Sequence, residues 1–322
     1  MSLLSNLTQD GRIEIECDLS YDNSREILKY IIQFAYLFPG ILIHLMILRT
    51  IQWKYKKIYR INSFFMIYTV DSMASLSMLI FDAFIGRPIM YIPPLCPIVT
   101  PYFFEPSILL KVFYILPNYL RAAKSITQIM MSINRVSCVI SPISYISIWK
   151  KYLNISIIII LVSPIFVTWN LFLSRVYVIP IFGGFSYNYL KYVKWASLSQ
   201  FQFLFLSLAI LVTIISTIVT LTYLLMLPTR VKSAEKSLCF ANFTISAAFT
   251  SVAAFQSLFA FFSNFDATLL FSLQFFSYDF LNISSPIVII LINPQLREHI
   301  FKGEKANSNV FMRVTVTQTN IN

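Results

Sequence analysis

The chain has 322 residues, of which 57% are hydrophobic and only 12% charged, with a formal net charge of +11. Soluble domains carry about twice that charged fraction, so a soluble fold of this length would lack the polar surface needed to stay in solution. The excess of Lys and Arg does not point to nucleic acid, because the basic residues fall mostly between apolar segments, where they act as topology signals.

The stretch Met1–Asn6 lacks a basic region followed by an apolar core; no cleavable signal peptide is expected, and the first span should direct its own insertion. Seven apolar segments follow, at about 29–48, 64–85, 112–133, 153–173, 201–226, 238–262 and 269–292. Each is close to the ~20 residues that cross the hydrocarbon as a helix. The third is the most interrupted, with Lys111, Arg121 and Lys124 in or beside it. Pro39, Pro117, Pro164 and Pro286 lie within spans, where neighbouring helices can satisfy the freed carbonyls. The expected fold is an all-α membrane protein, a seven-transmembrane helix bundle. Its parts are an extracellular segment 1–28, a membrane domain 29–292 and a cytoplasmic tail 293–322.

The orientation follows from Lys and Arg in the connections. The first, third and fifth connections and the tail carry fifteen, including Arg49, Lys54, Lys56, Lys57, Arg60 and Arg135. The other side carries six, Arg12 and Arg25, then Arg87 in the second connection, then Arg175, Lys191 and Lys194, and the acidic amino-terminal segment belongs to it. The amino terminus is therefore expected outside and the carboxyl terminus in the cytosol. Asn6-Leu7-Thr8 is the sequon clear of a span on the outer side, a candidate for glycosylation. Cys17 and Cys96 also fall outside, in an oxidising compartment, either bridged or as free thiols. Cys138 and Cys239 fall near the cytosolic face, and there is no CxxC or clustered His to hold a metal. After Asn293 a short helix is expected to lay Leu296, Ile300 and Phe301 on the bilayer. The tail beyond it offers Ser308, Thr315, Thr317 and Thr319 for phosphorylation.

Ionisable residues at bilayer depth are costly and usually face the bundle interior. In the third span Lys111, Tyr114, Asn118, Arg121, Ser125, Gln128, Ser132 and Arg135 recur at steps of three and four, which places them on one helical face. This span should be central, with its stripe turned inward. Arg121 precedes Arg135 by fourteen residues, and Asp279 precedes Asn293 by fourteen. Each therefore stands roughly 21 Å from its end, so Arg121 and Asp279 are expected to pair. Asp71 could meet Lys124, and Asp82 approaches the level of Lys111. These charges could simply fix helix packing. They could form an outer ligand site of Lys111, Tyr114, Asn118 and Arg121, or they could line an ion path. There is no HExxH, G-x-S-x-G, Walker loop or dinucleotide fingerprint, so no enzyme activity, catalytic residue or cofactor is expected.

With the spans placed, the pattern is similar to a seven-helix, GPCR-like receptor. Several stretches resemble the nematode serpentine receptor class gamma (Srg) chemoreceptors. They are Ser132-Ile-Asn-Arg-Val-Ser with Trp149-Lys-Lys, Ser233-Ala-Glu-Lys-Ser-Leu, Asp279 with Ser285-Pro286, and Pro294-Gln-Leu-Arg-Glu-His-Ile. The resemblance covers about 30–300. It implies a receptor for an external small-molecule or peptide cue in the plasma membrane of a sensory cilium, coupled to a heterotrimeric G protein. Arg135 would then be the switch on the G-protein side, here preceded by Asn134 rather than a carboxylate, and the outer connection 174–200 contains no cysteine. The competing reading is a channel or transporter that uses the charged stripe as its path.

Overall fold

The computed structural model describes residues 12–18, 20–226, 232–261 and 267–301. The Asn6 sequon and the four phosphorylation candidates of the tail lie outside the described residues.

Helix α1 (Asn23–Arg49) starts at Asp22, whose carboxylate accepts from the Ser24 amide at 2.9 Å. This is the capping that an exposed first turn requires. It continues through a π-helical turn (Thr50–Lys54) into α2 (Lys56–Tyr59). Helix α3 (Ser63–Phe81) is capped by Asn62 on the Phe64 amide, and a second π-helical turn (Asp82–Gly86) carries it into α4 (Arg87–Tyr91). After the short α5 (Cys96–Val99) come α6 (Ile108–Ile140) and α7 (Tyr145–Leu173). Strands β1 (Arg175–Ile181) and β2 (Gly184–Leu190) precede α8 (Leu198–Met226), α9 (Lys232–Phe261), α10 (Ala267–Ile292) and α11 (Pro294–Phe301).

Among the described residues seven long helices overlap the seven expected segments; α3 reaches residue 85 only through the π-helical turn that follows it, and α9 ends one residue before 262. Helices α1, α3, α7, α8, α9 and α10 form a ring in which each touches the next, and α6 runs against α3, α7 and α8. Among the described residues five helical segments are long and apolar enough to cross a bilayer unaided. Helix α6 qualifies only together with the short helices before it, from which it is bent by 116°. Its polar residues are the reason: the inward face of α6 buries Asn118, Lys124, Thr127, Gln128 and Asn134. The most apolar span, Leu198–Tyr223, has only 22% of its apolar stretch buried. A soluble core would show the opposite relation, so the apolar outer face is matched to lipid.

The connection 174–200 is not an irregular loop. Its strands pair antiparallel from Arg175 opposite Leu190 to Ile181 opposite Gly184. The two-residue turn Phe182-Gly183 has φ of 54° and 76°, the left-handed pair that matches strand twist. Phe182 tolerates this because its ring stacks on Tyr91 at 4.9 Å. At Gly184 a Cβ would stand 2.1 Å from the Ile89 carbonyl oxygen, so the hairpin docks on α4 by direct backbone approach. The β-branched and aromatic run Val176-Tyr177-Val178-Ile179 before Gly183-Gly184 is the signal that could have revealed it.

Cys17 and Cys96 are joined by a disulfide, with Cα atoms 6.0 Å apart. Ile13 donates its amide to the Phe104 carbonyl at 3.1 Å, and Arg12 pairs with Glu105, so the amino-terminal segment is fastened at both ends of the α4–α6 connection. At the opposite end α11 packs inward: Leu296 is buried in the bundle rather than laid on the bilayer, while Phe301 is exposed. His299 is stacked on Tyr55 at 3.9 Å and shares a hydrogen bond of 2.8 Å with Tyr59. Burial against these rings lowers its imidazole pKa below the ordinary histidine value.

The bridge closes a loop with a sequence separation of 79, and such closures stabilise by about 2–4 kcal/mol. Cys17→Ser and Cys96→Ser should each lower the melting temperature of the purified protein by the same amount. The double variant should fall no further; additive losses would mean that the two thiols act independently.

Candidate functional site

A cavity of about 390 Å³ opens at the hairpin end, among α3, α4, α6, α8, α9, α10 and the hairpin. Its wall combines charge, amides and aromatic rings. Asp82 and Arg87 come from the α3–α4 junction, and Tyr114, Asn118 and Arg121 from α6. Lys111 does not reach it. This residue was expected beside Tyr114 and Asn118, but its ammonium donates to the Phe172 carbonyl of α7 at 2.9 Å. Lys111 lies in the first turn of α6, beside the last turn of α7, which takes up its ammonium.

Four buried amides cross the cavity in a chain. Gln274 donates to Gln256 at 2.7 Å, Gln256 to Gln202 at 3.0 Å, and Gln202 to Asn118 at 2.8 Å. Asn118 in turn donates to the Tyr114 carbonyl at 2.7 Å. The chain links α10, α9, α8 and α6, and each amide exposes donors and acceptors that a polar ligand can borrow. The three glutamines escaped the sequence reading because only ionisable residues were treated as expensive within spans. Uncharged amides at bilayer depth carry a related cost and were the available signal.

Asp279 pairs with Arg87, not with Arg121. Arg87 Nη2 contacts both Asp279 carboxylate oxygens at 2.9 and 2.8 Å, and both side chains are only 2% exposed. Tyr36 donates to the same carboxylate at 2.6 Å, Arg87 also donates to Gln33, and the guanidinium lies 4.5 Å from the Phe275 ring centre. The expectation failed because equal depth does not fix direction around the helix axis, and because Arg87 was assigned to an outer loop. The π-helical turn after Phe81 instead keeps Arg87 on the inward face. Arg121 rests over the Tyr278 ring at 4.3 Å, and its Nε is buried without a hydrogen-bond partner. Among the described residues neither Arg121 nor Asp82 has an ion pair within 4.0 Å. Asp82 does not meet Lys111; it lines the cavity, near Arg87 and Arg121.

A second polar layer lies below. Lys124 meets Asp71 at 3.3 Å and donates to Ser75 at 2.5 Å, and Thr127 and Ser285 donate to the Asp71 oxygens at 2.8 and 3.2 Å. His44 joins this layer through Ser72 at 2.7 Å and the Asn282 carbonyl at 3.0 Å. Gln128 and Ser132 each contact Thr213 at 3.3 Å. Nearer the basic end, Asn134 donates to Ser63 at 2.8 Å and accepts from Tyr145 at 3.1 Å, while Trp149 donates to Ser137 at 2.7 Å. These contacts explain the Ser132–Ser137 and Trp149 motif residues as ties between α6, α3 and α7. Arg135 lies 5.1 Å from the Phe64 ring centre. No group of His, Cys, Asp and Glu suited to a metal occurs among the described residues.

Removing one partner of a buried ion pair costs about 3–5 kcal/mol, and paired sites do not add. Arg87→Gln and Asp279→Asn should each destabilise the protein strongly in thermal unfolding, and the double variant should lose clearly less than their sum. The cycle between Arg121→Gln and Asp279→Asn should be close to additive. The reverse pattern would restore the Arg121 pairing.

The chain matches the Srg family chemoreceptor model over residues 30–300. It is 46% identical over 301 residues to serpentine receptor class gamma-5 of Caenorhabditis elegans, covering 93% of this chain and 92% of that protein. It is 47% identical over 293 residues to serpentine receptor class gamma-16 of the same organism, covering 90% of each. With class gamma-13 the identity is 40% over 312 residues, covering 96% of this chain and 93% of the relative. A seven-helix bundle and identity of this extent agree, and the chain belongs to the Srg family of chemoreceptors.

Proposed function

We propose that this membrane chemoreceptor reads a small polar cue in the cavity under the hairpin and passes the signal to a heterotrimeric G protein in the cytosol. The observation that carries the reading is the cavity itself: about 390 Å³, walled by a relay of amides, with Arg121 and Asp82 facing it without an ion-pair partner among the described residues. Binding pockets for small ligands combine apolar walls with a few placed polar groups in this way. The volume favours a small molecule over a peptide. The hairpin end is the outer face in this reading, with 1–28 outside and 293–322 inside. The disulfide there suits an oxidising compartment, and the basic connections at the other end suit the cytosol. A plasma-membrane site on a sensory cilium fits such a role.

The packing also supports a receptor over a channel. Below the cavity Lys124, Gln128 and Ser132 are engaged with Asp71 and Thr213, so the stripe is bonded across helices rather than lining an open path. Arg135 stands at the end where a G protein would dock, beside Phe64, Tyr68 and Met131. The receptor role carries no catalytic requirement.

In cells carrying a second-messenger reporter, a panel of water-soluble small molecules should include an active compound. Arg121→Gln or Gln256→Leu should raise its half-maximal concentration about tenfold or more, the scale of one lost hydrogen bond to a charged or buried group, at unchanged surface amounts. Arg135→Ala should abolish the response and leave binding intact. An unchanged half-maximal concentration would place the cue elsewhere, and a current carried by the purified protein in a planar bilayer would favour the channel.

A further inference from the structure

A groove of about 600 Å³ runs along the outer side of the bundle at its basic end, between the Thr50–Lys54 turn, α2, α3 and α7. Its head is polar and basic, formed by Gln52, Lys56 and Arg60; its body is apolar, formed by Met66, Val70, Met73 and Ile157. Lys56 and Arg60 stand four residues apart and so share a helical face. Arg60 donates to Gln52 at 3.3 Å, and Gln52 donates to Thr69 at 2.9 Å, which tethers the guanidinium to the groove.

The charge there is unbalanced. Arg49, Lys54, Lys56, Lys57 and Arg60 lie in a stretch with no Asp or Glu between Glu26 and Asp71. None of the five has an acidic partner within 4.0 Å among the described residues. The apolar body has a telling length. From Met66 to Met73 α3 rises seven residues, roughly 10 Å at 1.5 Å each, which is about two thirds of one leaflet of a ~30 Å hydrocarbon core. A soluble anion would need only the head. An apolar trough of this depth beneath a cationic head fits a molecule with an anionic end and an alkyl chain.

We infer that this groove is a binding site for an anionic phospholipid. Its headgroup sits on Lys56 and Arg60, and one acyl chain lies along Met66, Val70, Met73 and Ile157. Placing it in the cytosolic leaflet, where anionic lipids concentrate, rests on the orientation given above. A disc of symmetric lipid composition tests the site whichever way the chain is oriented.

Trp53, 73% exposed at the groove, serves as a reporter. The full chain is placed in phosphatidylcholine nanodiscs containing a fixed fraction of phosphatidylserine, with bromine on the acyl chains of either one lipid or the other. Brominated phosphatidylserine should quench tryptophan fluorescence more than brominated phosphatidylcholine at equal fraction, and the excess should vanish in Trp53→Phe. Neutralising one cation, Lys56→Gln or Arg60→Gln, should raise the phosphatidylserine fraction needed for half-maximal quenching roughly fivefold. Equal quenching by the two lipids, or an excess that survives in Trp53→Phe or in the double charge variant, would overturn the site. Displacement by glycerophosphoserine, which has the headgroup without chains, would overturn the lipid assignment in favour of a soluble anion. Should the double variant fail to insert, salt applied to the unmodified chain decides: the excess must fall with ionic strength, and a salt-insensitive excess would contradict the proposal.

Discussion

The ion pair between Arg87 and Asp279 sits where a charge by itself would cost several kcal/mol, and most of the architecture at the hairpin end answers that cost. Asp279 is fixed on α10, so the guanidinium has to be brought to it. Helix α3 does this by continuing past Phe81 through a π-helical turn into α4, a local widening that often marks functional sites. Tyr36 and Gln33 of α1 then complete the hydrogen bonding. One pair thereby ties α1, α4 and α10, and α4 becomes the platform on which the hairpin lies. The cavity exists because this platform and the hairpin form its roof while the amide chain spans its interior.

The same helices carry the second layer. On α3 Asp82 faces the cavity and Asp71 meets Lys124, eleven residues or roughly 16 Å apart. On α6 Arg121 and Lys124 are nearly one turn apart, and on α10 Asp279 and Ser285 bracket two turns. A ligand that changes the position of Arg121 or Asp82 therefore acts on the helices that hold Asp71 and Lys124 together. In the proposed mechanism, signalling is a shift between two packings of α3, α6 and α10, driven by the ligand's preference for one of them.

Much of this was legible in the sequence, for identifiable reasons. Span positions followed from apolar length, and the inward stripe of α6 from helical periodicity; Asn118, Tyr114 and Arg121 do reach the cavity. Lys124 meeting Asp71 followed from depth alone because both lie on faces already turned inward. What failed depended on direction or on neutral groups. Arg87 looked like loop because no pattern announces a π-helical turn, and it displaced Arg121 as the partner of Asp279. Lys111 lies in the first turn of α6, where the end of α7 takes up its ammonium. The glutamine relay carries no charge to mark it, and the hairpin is marked only by a β-branched and aromatic run before Gly183-Gly184.

The central claim is that the polar interior is divided into a cavity open to the outer solution and a closed ion-pair layer beneath it. Ser186 lines the cavity and Ser284 lines the small void beside Lys124, and both are 8% exposed. In a background with Cys138 and Cys239 replaced by Ser, cysteine is placed at either position and intact cells are treated with a membrane-impermeant thiol reagent. The account predicts modification of Ser186→Cys and none of Ser284→Cys. Equal modification of both, or modification of Ser186→Cys only after permeabilisation, would contradict it.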